Sequence, residues 1–355
     1  MQAPVLCTAF FLLFSTFVFA GPGPTSGTEN IPKLMTDSSL VCKGEVVEAP
    51  EMIAAPNPPT PRRTATAVVH VDRCFKGERP ASELVPVLFD NILPGGGTSL
   101  GSMYAVLRKG DYCLYFLKPE GDKYVLVDDW FGQLPISRQL ASDSAEDSDP
   151  MHQLEMDLKA GLTDPERDRV LDSIRMLGNM RHLQSKTVLI SLLDSPDALV
   201  RTYAYEAMLR LHDYSVLPAV ERWLTAQPSP PAALFLPRDS LFLMQYKLVS
   251  EISAIRDPSY LRTMDGLLRL PSPIMRRDIL QGIRSIHSPQ GALTFLRMLD
   301  DPDTDIGFIA MQALFELAGG GPIDWVPSFE QFRDNPTYYA ATCREWWQAK
   351  HSQKE

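Results

Sequence analysis

The sequence predicts two folded halves, a small β barrel followed by an all-α solenoid, and three observations carry that prediction. Thr64 to Cys74 sets Ala65, Ala67, Val69 and Val71 against Thr66, Val68, His70 and Asp72, the period of two of a half-buried strand. Beyond Met151 a weak motif recurs. TDPERDRVLDSIRML ends at Leu177, DSPDALVRTYAYEAMLRL at Leu211, PSPIMRRDILQGIRSI at Ile286 and DPDTDIGFIAMQALFEL at Leu317, and a poorer copy, SLFLMQYKLVSEISAI, ends at Ile255. The steps between these anchors are 34, 44, 31 and 31 residues, the length of a helix–turn–helix unit that hides its apolar face against copies of itself. Third, residues 138–150 include the acidic Ser/Asp run QLASDSAEDSDP, which has no apolar period and reads as a linker between the halves.

Taken in chain order, Val5 to Ala20 is an uncharged apolar run closed by Gly21-Pro22-Gly23-Pro24. It is short for a membrane span, and Val18 and Ala20 suit a cleavage site, so residues 1–20 are expected to be an export signal. Residues 21–37, rich in Gly, Pro, Ser and Thr, read as a flexible leader. Strand texture begins at Ser38 and continues to residue 137. Leu40 to Val47, Thr64 to Cys74, Leu84 to Leu88, Ala105 to Arg108, Asp111 to Leu117 and Tyr124 to Val127 are the expected strands. Gly95-Gly96-Gly97, Lys109-Gly110 and Glu120-Gly121-Asp122 supply turns between them.

Three stretches of this region resemble a known superfamily. Ser39-Leu40-Val41-Cys42-Lys43-Gly44-Glu45-Val46, Val71-Asp72-Arg73-Cys74-Phe75-Lys76-Gly77 and Gly110-Asp111-Tyr112-Cys113-Leu114-Tyr115-Phe116-Leu117 are similar to the netrin-module and tissue-inhibitor-of-metalloproteinase (TIMP) superfamily over residues 38–136. The resemblance implies an OB-type barrel. In the vertebrate inhibitors a mature N-terminal cysteine sits on the protease's zinc, whereas Cys42 lies well beyond the expected cleavage point, so inhibition is not carried over.

In the second half, residues 151–320 are expected to hold five repeats. Leu183 to Leu193 and Leu199 to Leu211 form one helix pair, with Asp194-Ser195-Pro196-Asp197 as turn and cap. Val200, Ala204, Ala207, Met208 and Leu211 share one helical face, and Ile306, Ala310, Ala313, Leu314 and Leu317 repeat that spacing. Pro196, Pro271 and Pro302 each stand fifteen positions before an anchor. This pattern resembles the HEAT family, including the variety named from phycobilisome lyases. Gln227-Pro228-Ser229-Pro230-Pro231 is an insertion that explains the long third step. Residues 321–355, with Trp325, Phe329, Phe332, Tyr338, Tyr339, Trp346 and Trp347, read as a cap for the last repeat.

A formal charge of −10 and a pI near 5.2 argue against a nucleic-acid partner, which needs a basic domain or stripe. Beyond the export signal no stretch is apolar for long enough to span a membrane. Cys42, Cys74, Cys113 and Cys343 allow three disulfide pairings, and an exported protein permits any of them.

Chemical motifs are sparse. Gly97-Thr98-Ser99-Leu100-Gly101 matches a nucleophile elbow, but it stands in a glycine-rich loop without the strand–turn–helix context that an elbow needs. Asp301, Asp303 and Asp305 are weak cation candidates, because Ile306 and Gln312 occupy the glycine and glutamate places of a calcium loop. The six histidines lack ligand spacing. Arg201, Arg210, Arg276, Arg277 and Arg284 fall on second helices of the repeats and are the candidate binding ridge. The expected protein is thus exported to a periplasm, cell envelope or extracellular space. It is non-enzymatic, needs no cofactor, and binds another protein through its repeats. An enzyme inhibitor acting through the barrel and a lyase-like enzyme are the rival readings.

Overall fold

A computed structural model describes residues 30–51, 53–54, 64–90, 92–93, 107–128, 131–141, 149–228, 241–322 and 325–352. The expected export signal, the Ser99 loop and most of the proline insertion lie outside these residues.

The first half is a closed five-stranded barrel. Its strands are β1 (Leu40–Glu48), β3 (Thr64–Lys76), β4 (Leu84–Asp90), β6 (Tyr112–Glu120) and β7 (Lys123–Leu126). The ring runs β1-β3-β4-β7-β6 and returns to β1; the β4–β7 pair is parallel and the others antiparallel. This is the order of an OB-type barrel, in which closure removes exposed strand edges. The short strands β2 (Ile53–Ala54) and β5 (Ile92–Leu93) pair with each other, and β8 (Gln133–Pro135) adds to β6. Gly44 marks the tightest approach, because a Cβ there would lie 2.1 Å from the His70 carbonyl oxygen. Of the predicted Ala105–Arg108 strand, Leu107 and Arg108 are loop and the remainder lies outside the described residues.

The cysteine pairing left open by the sequence is decided by register. Cys42 on β1 stands opposite Cys74 on β3, and the two form a disulfide. Cys113 and Cys343 remain buried thiols. Burial pushes Cys113 up to about 11 and Cys343 up to about 12, so both stay protonated and inert.

Residues 31–37, expected to belong to a flexible leader, instead form a helix, α1 (Ile31–Asp37). Asn30 caps it by accepting from the Lys33 N–H, and Pro32 is tolerated in the first turn. Ile31, Leu34 and Met35 fall at helical spacing and are buried, while Lys76 Nζ donates to the Met35 carbonyl at its C-terminal end. Composition misled here: one apolar face on seven residues outweighs the polar company.

The second half alternates first and second helices. The pairs are α2 (Pro150–Gly161) with α3 (Arg167–Asn179), α4 (Lys186–Leu192) with α5 (Ala198–Arg210), α6 (Leu217–Ala226) with α7 (Leu241–Ser253), α8 (Leu261–Leu267) with α9 (Pro273–Ser285) and α10 (Ala292–Met298) with α11 (Thr304–Leu317). The second helices stack in one row, α3 on α5 on α7 on α9 on α11. At the end of the row, α12 (Phe329–Asp334) and α13 (Pro336–Ser352) cover the free flank of α11, with Phe308 against Phe332 and Phe315 against Trp346.

The repeat register needs one correction. Helix α3 begins at Arg167 and α5 at Ala198, so the residue equivalent to Leu211 is Met180 and not Leu177. Both candidates are buried and one turn apart, which is why apolar spacing alone chose wrongly. In the corrected register Pro165 joins Pro196, Pro271 and Pro302 fifteen places before the anchor. Glu166, Asp197, Ser272 and Asp303 then stand at the same N-cap position. Asp164, Ser195 and Asp301 repeat another contact, each accepting from the N–H two residues on.

The two halves share a core. Strand β6 is buried on both faces: Cys113, Tyr115 and Leu117 face the barrel interior, whereas Tyr112, Leu114 and Phe116 join the core that continues through Leu154 and Leu158 of α2 into the solenoid. Double burial explains the unbroken apolar run of this strand. At the junction Lys43 and Asp157 are both fully buried, 2.7 Å apart, and Arg73 reaches Asp157 at 2.7 Å. Lys43 also donates to the Gln139 carbonyl and Asp157 accepts from the Ala141 N–H, so the first residues of the expected linker are pinned to the junction. Burial pushes the Lys43 ammonium below the ordinary lysine range, with Asp157 opposing it.

Candidate functional site

The second helices touch one another in a continuous row, and its arginines bind across repeats or to the turns before their helices. Arg276 forks onto Asp301 of the next repeat at 2.8 and 3.0 Å and also donates to the Leu270 and Pro271 carbonyls. The equivalent Arg201 donates to the Ser195 carbonyl, the counterpart of Leu270. Arg277 pairs with Asp305 at 2.6 Å, and Arg284 with Glu316 and Gln312. Arg210 joins Glu206, Glu251 and Asn179, linking α3, α5 and α7. The five arginines chosen from the sequence are therefore brought to one row, each committed to a neighbouring repeat or to the turn before its own helix.

Asp301, Asp303 and Asp305 are engaged in the same way. Both Asp301 oxygens face Arg276, Asp303 caps α11 by accepting from the Asp305 N–H, and Asp305 pairs with Arg277. These carboxylates complement guanidinium groups and a helix N-terminus. Among the described residues, no group of three or more His, Cys, Asp or Glu side chains is disposed to hold a metal ion.

Two buried acidic clusters were invisible to sequence reasoning. Glu206 is 1% exposed and pairs with Arg210 at 2.6 Å, with Lys247 nearby over the Tyr203 ring. Glu251 shares that cluster, and its carboxyl is held above the usual range by burial, opposed by Arg210 and reinforced by Glu206. On α2, Glu155 accepts from Lys159 at 2.9 Å and Ser185 at 3.0 Å, and His182 Nδ1 lies 2.9 Å away. Burial alone would raise the Glu155 carboxyl, but the hydrogen bonds from Lys159, His182 and Ser185 and the Lys159 charge outweigh it and hold the carboxyl below the ordinary range. The available signal was a charged residue at a helical core position; spacing marks such a site without naming its partner.

Where α3, α5 and α7 begin, Arg167, Asp197, Ala198, Leu199 and Leu241 line an open groove of about 460 Å³. Arg167 forks onto Asp197 there at 2.8 and 3.0 Å, so the two charged residues of the described lining pair with each other. On the second helices Tyr205 and Tyr246 are half-buried and Gln281 is exposed. No described helix is long and apolar enough to cross a membrane.

No protein-family model and no curated protein matches the chain. Solved structures that resemble it include a designed repeat protein, a lyase complex and an engineered protein. A designed armadillo repeat protein is 15% identical with a TM-score of 0.33, covering 55% of this chain and 92% of that one. The CpcE–CpcF complex of phycocyanin lyase from Nostoc is 18% identical with a TM-score of 0.28, covering 48% and 65%. The engineered protein is 16% identical with a TM-score of 0.31, covering 49% and 83%. Independently of these likenesses, the closed strand ring and five stacked helix pairs define a β barrel followed by an all-α repeat solenoid.

Proposed function

We propose that this is an exported, non-enzymatic binding protein whose helical repeats hold another protein along the second helices and the turns that follow them. One observation carries the reading: five second helices form a single capped row tied from repeat to repeat by pairs such as Arg276–Asp301 and Arg284–Glu316, which makes a preorganised surface. Repeats of this kind stack into extended binding surfaces. The HEAT-type pattern of the sequence agrees with it. The apolar Val5–Ala20 run and the Cys42–Cys74 disulfide favour export to an oxidising space. Inhibition through a netrin- or TIMP-like barrel is the weaker reading, because Cys42 lies within β1, fully buried and bonded to Cys74.

The test is site-specific photo-cross-linking of the full chain in its native extract. Probes at Tyr205 and Gln281, on the second helices, are expected to capture one defined partner, whereas probes at Ile190 and Leu293, exposed on first helices, are not. Recovery of uncross-linked monomer alone from all four positions overturns the reading.

A further inference from the structure

Successive second helices end on one edge of the solenoid, and the corrected register aligns the residues just beyond them. The position following each anchor holds Arg181, His212, Arg256 and His287 in four consecutive repeats. All four are exposed, and because α3, α5, α7 and α9 are neighbours in that order, the four side chains form rungs along a single edge. The acids on the same turns are already occupied. Asp213 pairs with Lys186 and accepts from the Ser215 N–H, and Asp257 accepts from the Ser259 N–H.

Three of these rungs sit in a conformation that disfavours them. Arg181, His212 and His287 have φ of 53°, 56° and 51°, in the left-handed region, where a Cβ is strained and glycine is the usual helix-ending residue. The fifth repeat ends its second helix with glycine: Gly319 has φ of 77°. Repeats one, two and four therefore retain a long nitrogen-bearing side chain where glycine would relieve strain. Part of its role is local, since basic groups complement a helix C-terminus. That role does not require the strained position, as Arg256 shows by serving the Ser253 and Ile255 carbonyls without positive φ. Beside the second rung Tyr214 lies against His212, whose Nδ1 is 2.9 Å from the Tyr214 hydroxyl and whose Nε2 is left to face outward, and Tyr260 is edge-on to Tyr214 at 5.0 Å. Strain of this kind points to a function when the surroundings enforce it.

We propose that this Arg181–His212–Arg256–His287 edge binds an extended acidic segment of the partner protein, with carboxylates meeting successive rungs. The inference rests on the protein-binding reading above and names the chemistry of what is bound. Packed helices lie about 8–10 Å apart, and an extended chain advances about 3.3 Å per residue, so the rungs match a carboxylate at roughly every third residue. Guanidinium and imidazole N–H groups are suited to carboxylate acceptors, and the Tyr214–Tyr260 pair beside His212 to the segment's other side chains.

The experiment uses the purified full chain and two fluorescent peptides of identical composition, one with Glu at every third position and Ser between, the other with its Glu residues contiguous. Anisotropy at low salt is expected to show tighter binding of the spaced peptide. Replacing Arg181→Gly, His212→Gly and His287→Gly together should weaken that binding at least about tenfold, the fold-change expected from losing several charge-assisted contacts. The thermal midpoint of the triple variant should hold or rise, since glycine relaxes positive φ. Failure of the wild type to bind, equal binding of the two peptides, equal binding by the triple variant, or preference for a polynucleotide of matched charge overturns the proposal. Cross-links from Tyr205 and Gln281 that persist in the triple variant would leave the broader protein-binding reading standing while this one falls.

Discussion

In the barrel, β1 pairs with β3 across the Cys42–Cys74 register and with β6 across Leu40–Leu117, so closure joins residues far apart in the chain. In the solenoid, each second helix instead touches the copy in the adjacent repeat, and Arg276–Asp301 or Arg284–Glu316 ties one unit to the next. The difference teaches where cohesion comes from. A closed ring depends on all its strands being present, whereas a stack is close to a sum of units and neighbouring interfaces. Helix α2 belongs to both systems. Its Asp157 turns to the barrel and its Glu155, two residues away, to the second repeat.

That contrast can be broken at the junction, where the largest effect is expected. Asp157→Ala leaves Lys43 buried without its carboxylate and should cost about 3–5 kcal/mol, the usual penalty for halving a buried ion pair. Chemical denaturation followed by barrel and solenoid probes should change from one coincident transition to two. A single transition with unchanged midpoint would show that the halves are coupled by apolar packing alone.

The barrel has its own staple. Converting Cys42 and Cys74 together to alanine opens a crosslink spanning a sequence separation of 32 and should cost about 2–4 kcal/mol. A barrel probe should register that loss with the solenoid's own transition little altered. An equal fall in both would mean that the barrel templates the repeats.

A smaller effect sharpens the role of α2. The Glu155 carboxyl is held below the usual range in the folded protein, so its stabilising contribution is present above the unfolded carboxylate pKa and is lost as pH falls through the folded value. Glu155→Gln should lower stability near neutrality by about 1–3 kcal/mol, as expected for hydrogen bonds to a charged group, and flatten the acid side of the stability profile. An unchanged acid slope would assign that slope to other carboxylates.

Much of the architecture was legible in sequence because it depends on short-range pattern. Alternation between Thr64 and Cys74 identified β3, and the prolines fifteen places before three anchors, with the acidic caps Asp197 and Asp303, identified the second helices that follow them. The errors are physical too. Leu177 and Met180 lie one turn apart on the same buried face, so spacing could not rank them, although Pro165 would have. The arginines were legible as a row but not as partners of Asp301, Glu316 and Glu251. Pairing depends on which side chain the next repeat presents, and no local periodicity encodes that.

The sequence by itself determined the alternation of strands, the repeat length and the position of the caps. Tertiary structure alone decided that Cys42 meets Cys74, that β6 is covered on both faces, that Lys43 is neutralised by Asp157, and that α1 folds onto the barrel. The reason is one of distance. Periodicity and capping act over one or two turns and are written in neighbouring residues. Burying a charge or closing a disulfide requires groups far apart in the chain to arrive at one place, and only the packed core brings them there.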